Sequence, residues 1–254
     1  MRNIAIRLRY DGTRYHGWQI QKEEATVQKE VENALSRITG ESVHVTGCGR
    51  TDAGVHAERY CANFRTNAFI PTERLPYAIN ALLPLDICVS AAVAVEDDFN
   101  SILSCKRKEY TYRLLNTRIR DPFLENRVWQ HPVTLDINVM REAASAFIGT
   151  HDFSAVRSVG TETKSSVRTV YYFDITKDHD LIEFKISANG FLYNMARAMV
   201  GTVVFTALGK ISPDSISSIL AAGDRRLSGP TAPACGLYMT YVEYGGPVGE
   251  MMES

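Results

Sequence analysis

The sequence predicts an α+β fold in which one order of elements occurs twice. Apolar and polar residues alternate with a period of two in some segments, such as residues 4–10, which is typical of strands. In other segments, such as residues 27–38, apolar residues recur at helical spacing. Each half of the chain shows the order strand, helix, strand, strand, helix, strand. With 254 residues, 45% of them hydrophobic, the chain can form a proper core.

Turn and capping residues bound the elements of the first half. The strand 4–10 ends at Asp11-Gly12, and Thr26 is expected to cap a helix that ends at Gly40. The other predicted elements of this half are strands over 43–46, 60–65 and 87–95 and a helix led by Thr72.

The second half repeats the order of elements without a residue-level repeat. Residues 106–115 alternate as a strand, and Asp136 is expected to cap a helix that ends at Gly149. The remaining predicted elements are a hairpin of 166–176 and 181–187, an apolar helix from Leu192 ended by Gly209, a short helix opened by Ser212-Pro213, and a strand over 237–244.

Two successive units of this order match the ferredoxin-like (βαββαβ) pattern. We therefore expect two pseudo-symmetric halves, residues 1–100 and 101–254. They are expected to form one continuous antiparallel-rich sheet with helices on one face and a central active-site cleft.

Composition excludes several classes of protein. Lys and Arg number 28 against 29 for Asp and Glu, so an RNA site must come from segregated charge. The N-terminus leads directly into a strand pattern, and no run of about 18 apolar residues lacks a charge, so we expect a cytoplasmic protein without a membrane segment. The five cysteines are widely spaced without a C-x-x-C pair, which argues against a disulfide framework or a zinc knuckle.

The stretch Gly49–Ala57 (GRTDAGVHA) is the candidate active site. Its glycines allow a tight turn or the close approach of a ligand. Asp52 lies two residues from Arg50, whose charge favours the ionised carboxylate. Such an aspartate can act as a nucleophile or a base. The alternative interpretation is an ordinary tight turn, because Asp, Thr and Gly all suit one.

The strand 106–115 interleaves cations with aromatic residues. Its alternation places Lys106, Lys108, Tyr110 and Tyr112 on one face. Such a face suits single-stranded RNA, since the charges contact phosphates and the rings stack on bases. The alternative is that both tyrosines are ordinary strand aromatics.

Arg197 lies among apolar residues of the helix that begins near Leu192, an unfavourable place for an unpaired charge. We expect a carboxylate partner and choose Asp52, whose ionised form an arginine would stabilise. The alternative is an arginine whose charge reaches solvent along the helix edge.

Metal and nucleotide cofactors are not expected. His56 follows Asp52 by four residues, but His151-Asp152 offers no recognised ligand spacing, so a hydrogen-bonded structural histidine is favoured. No P-loop and no G-x-G-x-x-G is present. Asp52 also lacks a second carboxylate in its loop, which argues against a two-carboxylate glycosidase.

The stretch Gly49–Ala57 resembles the signature of the tRNA pseudouridine synthase A family, which isomerises uridines at positions 38, 39 and 40 of the anticodon arm. The similarity extends along nearly the whole chain. The further matching blocks are Tyr10–Thr13 with Gly17–Gln19, Lys108–Arg113, His151–Ser154 with Val167–Thr169, Asn194–Gly201, and Pro233–Leu237.

The resemblance implies a role for each site residue. It makes Asp52 the catalytic aspartate, Tyr110 the ring that stacks on the target uracil, and Arg197 the partner of Asp52. It places Leu237 beside the base and gives Arg50 a part in flipping the target nucleotide. The strand pattern, independently, makes Lys106 and Lys108 candidates for contacting the RNA. It further implies a homodimer that binds tRNA across both subunits and needs neither metal nor organic cofactor.

The chain departs from the family pattern at a few positions. Asn100–Ser104 stands where an Arg is common, Arg59-Tyr60 replaces Gly-Gln, and Asn63 replaces His. The competing hypotheses are a non-catalytic RNA-binding module and a metal-dependent nuclease. The sequence leaves open whether Asp52 attacks C1′, attacks C6 or abstracts the 2′ proton.

Overall fold

The computed structural model describes residues 1–158 and 163–254, which fall into two compact units. The first unit contains residues 1–107 and 238–254, and the second contains residues 108–237. These bounds differ from those of the predicted halves, 1–100 and 101–254. The reason is that the last strand pairs with a strand of the first unit, which brings the C-terminal residues into that unit.

The elements follow the predicted order with a few additions. The strands are β1 (Arg2–Tyr10), β2 (Val45–Gly47), β3 (His56–Thr66), β4 (Ile87–Val95), β5 (Arg107–Leu115), β6 (Trp129–Gln130), β7 (Gly149–Asp152), β8 (Val167–Asp178), β9 (Leu181–Ala188) and β10 (Leu237–Glu243). The helices are α1 (Val27–Thr39), α2 (Leu75–Asn80), α3 (Ile137–Ser145), α4 (Met195–Ala207), α5 (Ile216–Ala222) and α6 (Gly246–Glu253). The sequence patterns did not predict β6, β7 and α6.

In the first unit, the strands lie in the order β4-β1-β3-β10, and β2 pairs with β3. The pairing is antiparallel except between β3 and β10, where Tyr238 lies opposite His56. Ile4, Ile6 and Leu8 of β1 point to one face and are fully buried, as the alternation predicts.

The opposite face of this sheet carries α6. Arg7 of β1 donates to the Met251 carbonyl at 2.7 Å, and Arg59 of β3 donates to the Met252 carbonyl at 2.9 Å. The prediction that helices lie on one face is therefore wrong for α6. The sequence signal was missed because α6 is short and begins within the stretch Gly245-Gly246-Pro247, which favours a turn.

In the second unit, the strands lie in the order β5-β9-β8-β7, and β6 pairs in parallel with β5. The other pairings are antiparallel. The core of this unit contains Tyr112, Phe147, Phe173 and Phe184, all at most 4% exposed. α3 packs against β8 and α4.

The helix boundaries confirm the capping predictions for Thr26, Gly40 and Asp136. The predicted stop at Gly149 is wrong, because α3 ends at Ser145, residues 146–147 form a turn and Gly149 begins β7. Thr26 occupies the N-cap position of α1, although its side chain makes no capping hydrogen bond, and Gly40 ends the helix at a φ of 73°. Asp136 accepts from the backbone N–H groups of Asn138 and Val139 at the start of α3. The protein thus has the predicted α+β class with mostly antiparallel strands. None of the helices in the described part of the chain has the length and apolar character needed to cross a membrane.

Candidate active site

Asp52 lies in a turn that leads from β2 into β3. The Asp52 carbonyl accepts from the Val55 N–H at 3.2 Å, and Gly54 between them has a φ of 77°. A positive φ at the third position of a turn favours glycine, as in a type II turn. The turn interpretation and the active-site interpretation of this stretch are therefore compatible, because the turn holds the half-buried Asp52 in place.

The segment that follows β1 packs against the backbone of this turn. A Cβ on Gly12 would lie 2.0 Å from the Val55 carbonyl oxygen, and a Cβ on Gly17 would lie 2.2 Å from that of Thr51. The Gly54 N–H also donates to the Tyr15 carbonyl at 3.2 Å. These close approaches require glycine and explain why Tyr10–Thr13 and Gly17–Gln19 accompany the Gly49–Ala57 block in this chain.

Buried side chains support the backbone that leads into the turn. The Tyr10 and Thr51 hydroxyls are hydrogen-bonded at 3.0 Å, and burial raises the pKa of the Tyr10 phenol, against the lowering effect of this bond, so the phenol stays protonated. The Trp18 ring stacks on that of Tyr60 with 4.3 Å between centroids. The Tyr60 hydroxyl donates to the Gly49 carbonyl at 2.5 Å. These contacts fix the backbone immediately before Asp52.

His56 is a buried, hydrogen-bonded histidine. Its Nδ1 lies 3.1 Å from the Gly12 nitrogen, which donates to it, and 3.2 Å from Asp11 Oδ1. Its ring stacks on Tyr238 with 4.6 Å between centroids. The structural interpretation of His56 is confirmed. Within residues 1–158 and 163–254, no group of three or more His, Cys, Asp or Glu side chains is arranged to hold a metal ion.

The departures from the family pattern other than Tyr60 contact one another, the first strand or the C-terminal helix. Asn63 Oδ1 accepts from both the backbone and the hydroxyl of Ser101, at 3.0 and 2.8 Å, and Asn63 Nδ2 donates to Asn3 at 3.0 Å. Arg59 holds α6 through the Met252 carbonyl. The departures at Asn63 and in Asn100–Ser104 thus belong to one buried polar network.

Tyr110 and Tyr112 of β5 have different surroundings in the second unit. Tyr112 is fully buried, its hydroxyl donates to the Pro233 carbonyl at 2.8 Å, and burial raises its pKa. The interpretation of Tyr112 as part of an RNA-stacking surface is therefore wrong, because its ring belongs to the core. Tyr110 is 7% exposed, and its ring meets the Phe191 ring edge-on at 4.9 Å.

Arg197 projects from the first turn of α4 and is held by two neighbouring groups of the second unit. Its Nε donates to the Ala232 carbonyl at 2.8 Å, and its Nη1 donates to Asn194 Oδ1 at 2.8 Å. These contacts hold Nε and Nη1 against the protein, and Arg197 as a whole is half-buried. Sequence reasoning missed Asn194, although its spacing of three residues from Arg197 on a helix was an available signal.

The remaining predicted site residues lie in both units. Arg50 and Lys106 are exposed in the first unit. The backbone N–H of Lys106 donates to the Glu243 carbonyl at 2.9 Å. Lys108 of β5, in the second unit, is half-buried, and Leu237, at the end of that unit, is 5% exposed.

Known proteins match this chain along nearly its full length. The model of a family described as tRNA pseudouridine synthase matches residues 6–102 and 143–245. A protein of Thermoanaerobacter sp. (strain X514) named tRNA pseudouridine synthase A is 49% identical over 244 residues, covering 96% of this chain and 100% of the relative. The protein of the same name from Acetivibrio thermocellus is 44% identical over 244 residues, with the same coverage.

A crystal structure of a Cbf5-Nop10-Gar1 complex aligns with a TM-score of 0.38 and 13% identity, covering 91% of this chain and 50% of that chain. This similarity is too distant to bear on the fold or the function. The family match and the two relatives confirm the resemblance that the Gly49–Ala57 stretch indicates. The chain belongs to the tRNA pseudouridine synthase family, whose activity is the isomerisation of uridine to pseudouridine in tRNA.

Proposed function

We propose that the protein isomerises uridines at positions 38, 39 and 40 of the tRNA anticodon stem-loop, with Asp52 as the catalytic carboxylate. The observation that carries this proposal is the geometry of the Gly49–Ala57 turn. Glycine contacts and buried hydroxyls immobilise the backbone around Asp52, while Arg50 beside it is exposed. A carboxylate on a fixed turn beside an exposed cation suits a reaction on an anionic substrate.

The reaction is a rearrangement within one nucleotide. The bond between N1 and C1′ breaks, the uracil turns, and C5 bonds to C1′ of the same ribose while the C5 proton is lost and N1 gains a proton. No atom is oxidised, so the chemistry calls for no redox cofactor. The protein must supply one carboxylate, a dry pocket that retains the free base, and a ring to stack on it.

Asp52 is proposed to act on the sugar or the base, by attack at C1′, attack at C6 or removal of the 2′ proton. Arg197 is proposed as its counterion, because a guanidinium keeps a carboxylate ionised in a desolvated site. The Tyr110 ring, supported edge-on by Phe191, is proposed to stack on the uracil, with Leu237 beside the base.

The basic residues are proposed to bind and open the RNA. A paired or stacked uridine must be flipped out, which costs a few kcal/mol of unstacking energy. Arg50 is proposed to assist the flip, and Lys106 and Lys108 to contact phosphates.

The proposal also covers the architecture, the oligomeric state and the cellular location of the protein. Each half, residues 1–100 and 101–254, is proposed to be a ferredoxin-like repeat, and the βαββαβ order of β1 to β4 with α1 and α2 supports this for the first. The protein is proposed to act as a homodimer. It is proposed to work in the cytoplasm because its substrate is tRNA.

The test is tritium release from tRNA that carries tritium at uracil C5, measured in the presence of EDTA and, in a parallel reaction, without it. Formation of the C5 to C1′ bond expels the C5 hydrogen, so we expect release with the tRNA strand intact. Binding without release would support the RNA-binding module. Strand cleavage that EDTA abolishes would support the nuclease.

A further inference from the structure

Asn194 has a backbone conformation that asparagine adopts at a cost. It occupies the N-cap position of α4 at a φ of 60° and a ψ of 7°. This is the left-handed region, which is unfavourable for most residues except Gly and, to a lesser extent, Asn and Asp. Its side chain makes no capping hydrogen bond to the helix. The usual use of asparagine at a helix start therefore does not explain this residue.

The side chain of Asn194 instead joins Arg197 to a neighbouring loop. Oδ1 accepts from Arg197 Nη1 at 2.8 Å, and Nδ2 donates to the Ser158 hydroxyl at 2.9 Å. The Ser158 N–H also donates to the Tyr193 carbonyl at 3.0 Å, so the loop is attached to the chain just before Asn194. The amide orientation is thus set by a donor on one side and an acceptor on the other.

A second support holds the adjacent nitrogen of the same guanidinium. Arg197 Nε donates to the Ala232 carbonyl at 2.8 Å, and the Ala232 N–H donates to the Arg197 carbonyl at 3.1 Å. The loop bearing Ala232 runs against α4, where a Cβ on Gly201 would lie 1.7 Å from the Pro230 carbonyl oxygen. This support is therefore built into the backbone.

Two hydrogen bonds at adjacent nitrogens fix the plane of a guanidinium, which is rigid and presents its donors in a fixed fork. We propose that Asn194 is a positioning residue for the isomerisation. Its Oδ1 sets the direction in which Arg197 presents its guanidinium, so that the side chain does not have to be ordered during the reaction. The inference rests on the proposed function, in which Arg197 is the counterion of Asp52.

The variant Asn194→Gly removes the amide and at the same time favours the observed φ. We expect an unchanged melting temperature, an unchanged Kd for tRNA, and a single-turnover rate of tritium release that falls about 10-fold to 100-fold. Asn126→Gly is the matched control, because Asn126 also has a positive φ, 58°, and lies in the exposed part of another loop. It is expected to retain the wild-type rate.

The dependence on Arg197 separates positioning from a merely structural role. Arg197→Lys keeps the charge and removes the planar fork, so Asn194 then has no fork to orient. We expect Asn194→Gly to lower the single-turnover rate of tritium release when Arg197 is present. In a protein that already carries Arg197→Lys, we expect Asn194→Gly to lower that rate no further. A wild-type rate in Asn194→Gly, or an equal loss in both backgrounds, would overturn the inference. If Arg197→Lys itself had the wild-type rate, the failure would lie in the proposed role of Arg197.

Discussion

The loop that carries Asp52 and the helix that carries Arg197 hold their functional groups in different ways. Asp52 has a short side chain, so its position depends on its backbone. That backbone is held by the segment after β1, which can pack closely against it because Gly12 and Gly17 lack a Cβ. Arg197 has a long side chain, so its position depends on hydrogen bonds from Asn194 and Ala232. A short carboxylate is positioned by its backbone, whereas a long guanidinium side chain is positioned by its hydrogen-bond partners.

The two regions should therefore fail differently when they are mutated. Added atoms should damage the Asp52 loop, because they displace the backbone. Removed polar atoms should damage the Arg197 region, because they leave the guanidinium less ordered while the helix remains. The contrast between Gly12→Ala and Asn194→Gly tests this difference.

Gly12→Ala is expected to have the largest effect of the loop variants. The new Cβ would meet the Val55 carbonyl oxygen at 2.0 Å, and the obstacle is backbone that cannot rotate away. We expect the free energy of unfolding, measured by chemical denaturation, to fall by about 3 kcal/mol, with turnover reduced about 100-fold. Gly190→Ala is the control, because its Cβ would meet Arg168 at an ordinary 3.6 Å. Equal stability of the two variants would contradict the proposed tight fit.

Tyr110 tests the stacking role in the second unit. Tyr110→Phe keeps the ring against Phe191, whereas Tyr110→Ala removes it. Because stacking on a base is worth about 1–3 kcal/mol, we expect Tyr110→Ala to lose about 10-fold to 100-fold in tritium-release rate, and Tyr110→Phe to lose much less. Tyr112→Phe, which loses a bond to Pro233, is expected to lose about 1 kcal/mol of stability and to keep its turnover. Equal rates for the two Tyr110 variants would argue against stacking.

The coupling between the buried hydroxyls of Tyr10 and Thr51 is among the smallest of the expected effects. Removing either hydroxyl leaves the other without this partner, so Tyr10→Phe and Thr51→Val should each lower the free energy of unfolding by about 1–3 kcal/mol. The double variant buries no unpaired hydroxyl at this contact, so its loss should be about 1 kcal/mol less than the sum. Denaturation of all four proteins measures the coupling. Strict additivity would show that the bond does not support the loop.

Much of the fold could be predicted from local patterns. The strand 87–95 matches β4 at both ends, and Gly40 and Asp136 end and begin helices as their chemistry requires. Local patterns could not predict α6 or the grouping of residues 238–254 with the first unit, because these depend on contacts between residues far apart in the chain.

The candidate site was only partly predictable for a related reason. Glycines and charged residues mark the Asp52 loop and Arg197 in the sequence. Tyr112 and Tyr110 share one strand face, so alternation alone could not tell that Tyr112 belongs to the core. The spacing of Asn194 from Arg197 was a local signal, but its contact with Ser158, 36 residues away in the chain, emerges only in three dimensions.

The most direct test of the central claim is the single-turnover rate of Asp52→Asn, measured by tritium release at saturating enzyme. Asn is nearly the same size as Asp but carries no charge, so the turn should persist and tRNA binding should be retained. Asp86→Asn is the control, because Asp86 is another carboxylate of the first unit, paired with Arg14 and Tyr15. We predict no detectable release from Asp52→Asn, with wild-type release from Asp86→Asn. Substantial release from Asp52→Asn would contradict the assignment of Asp52 as the catalytic carboxylate.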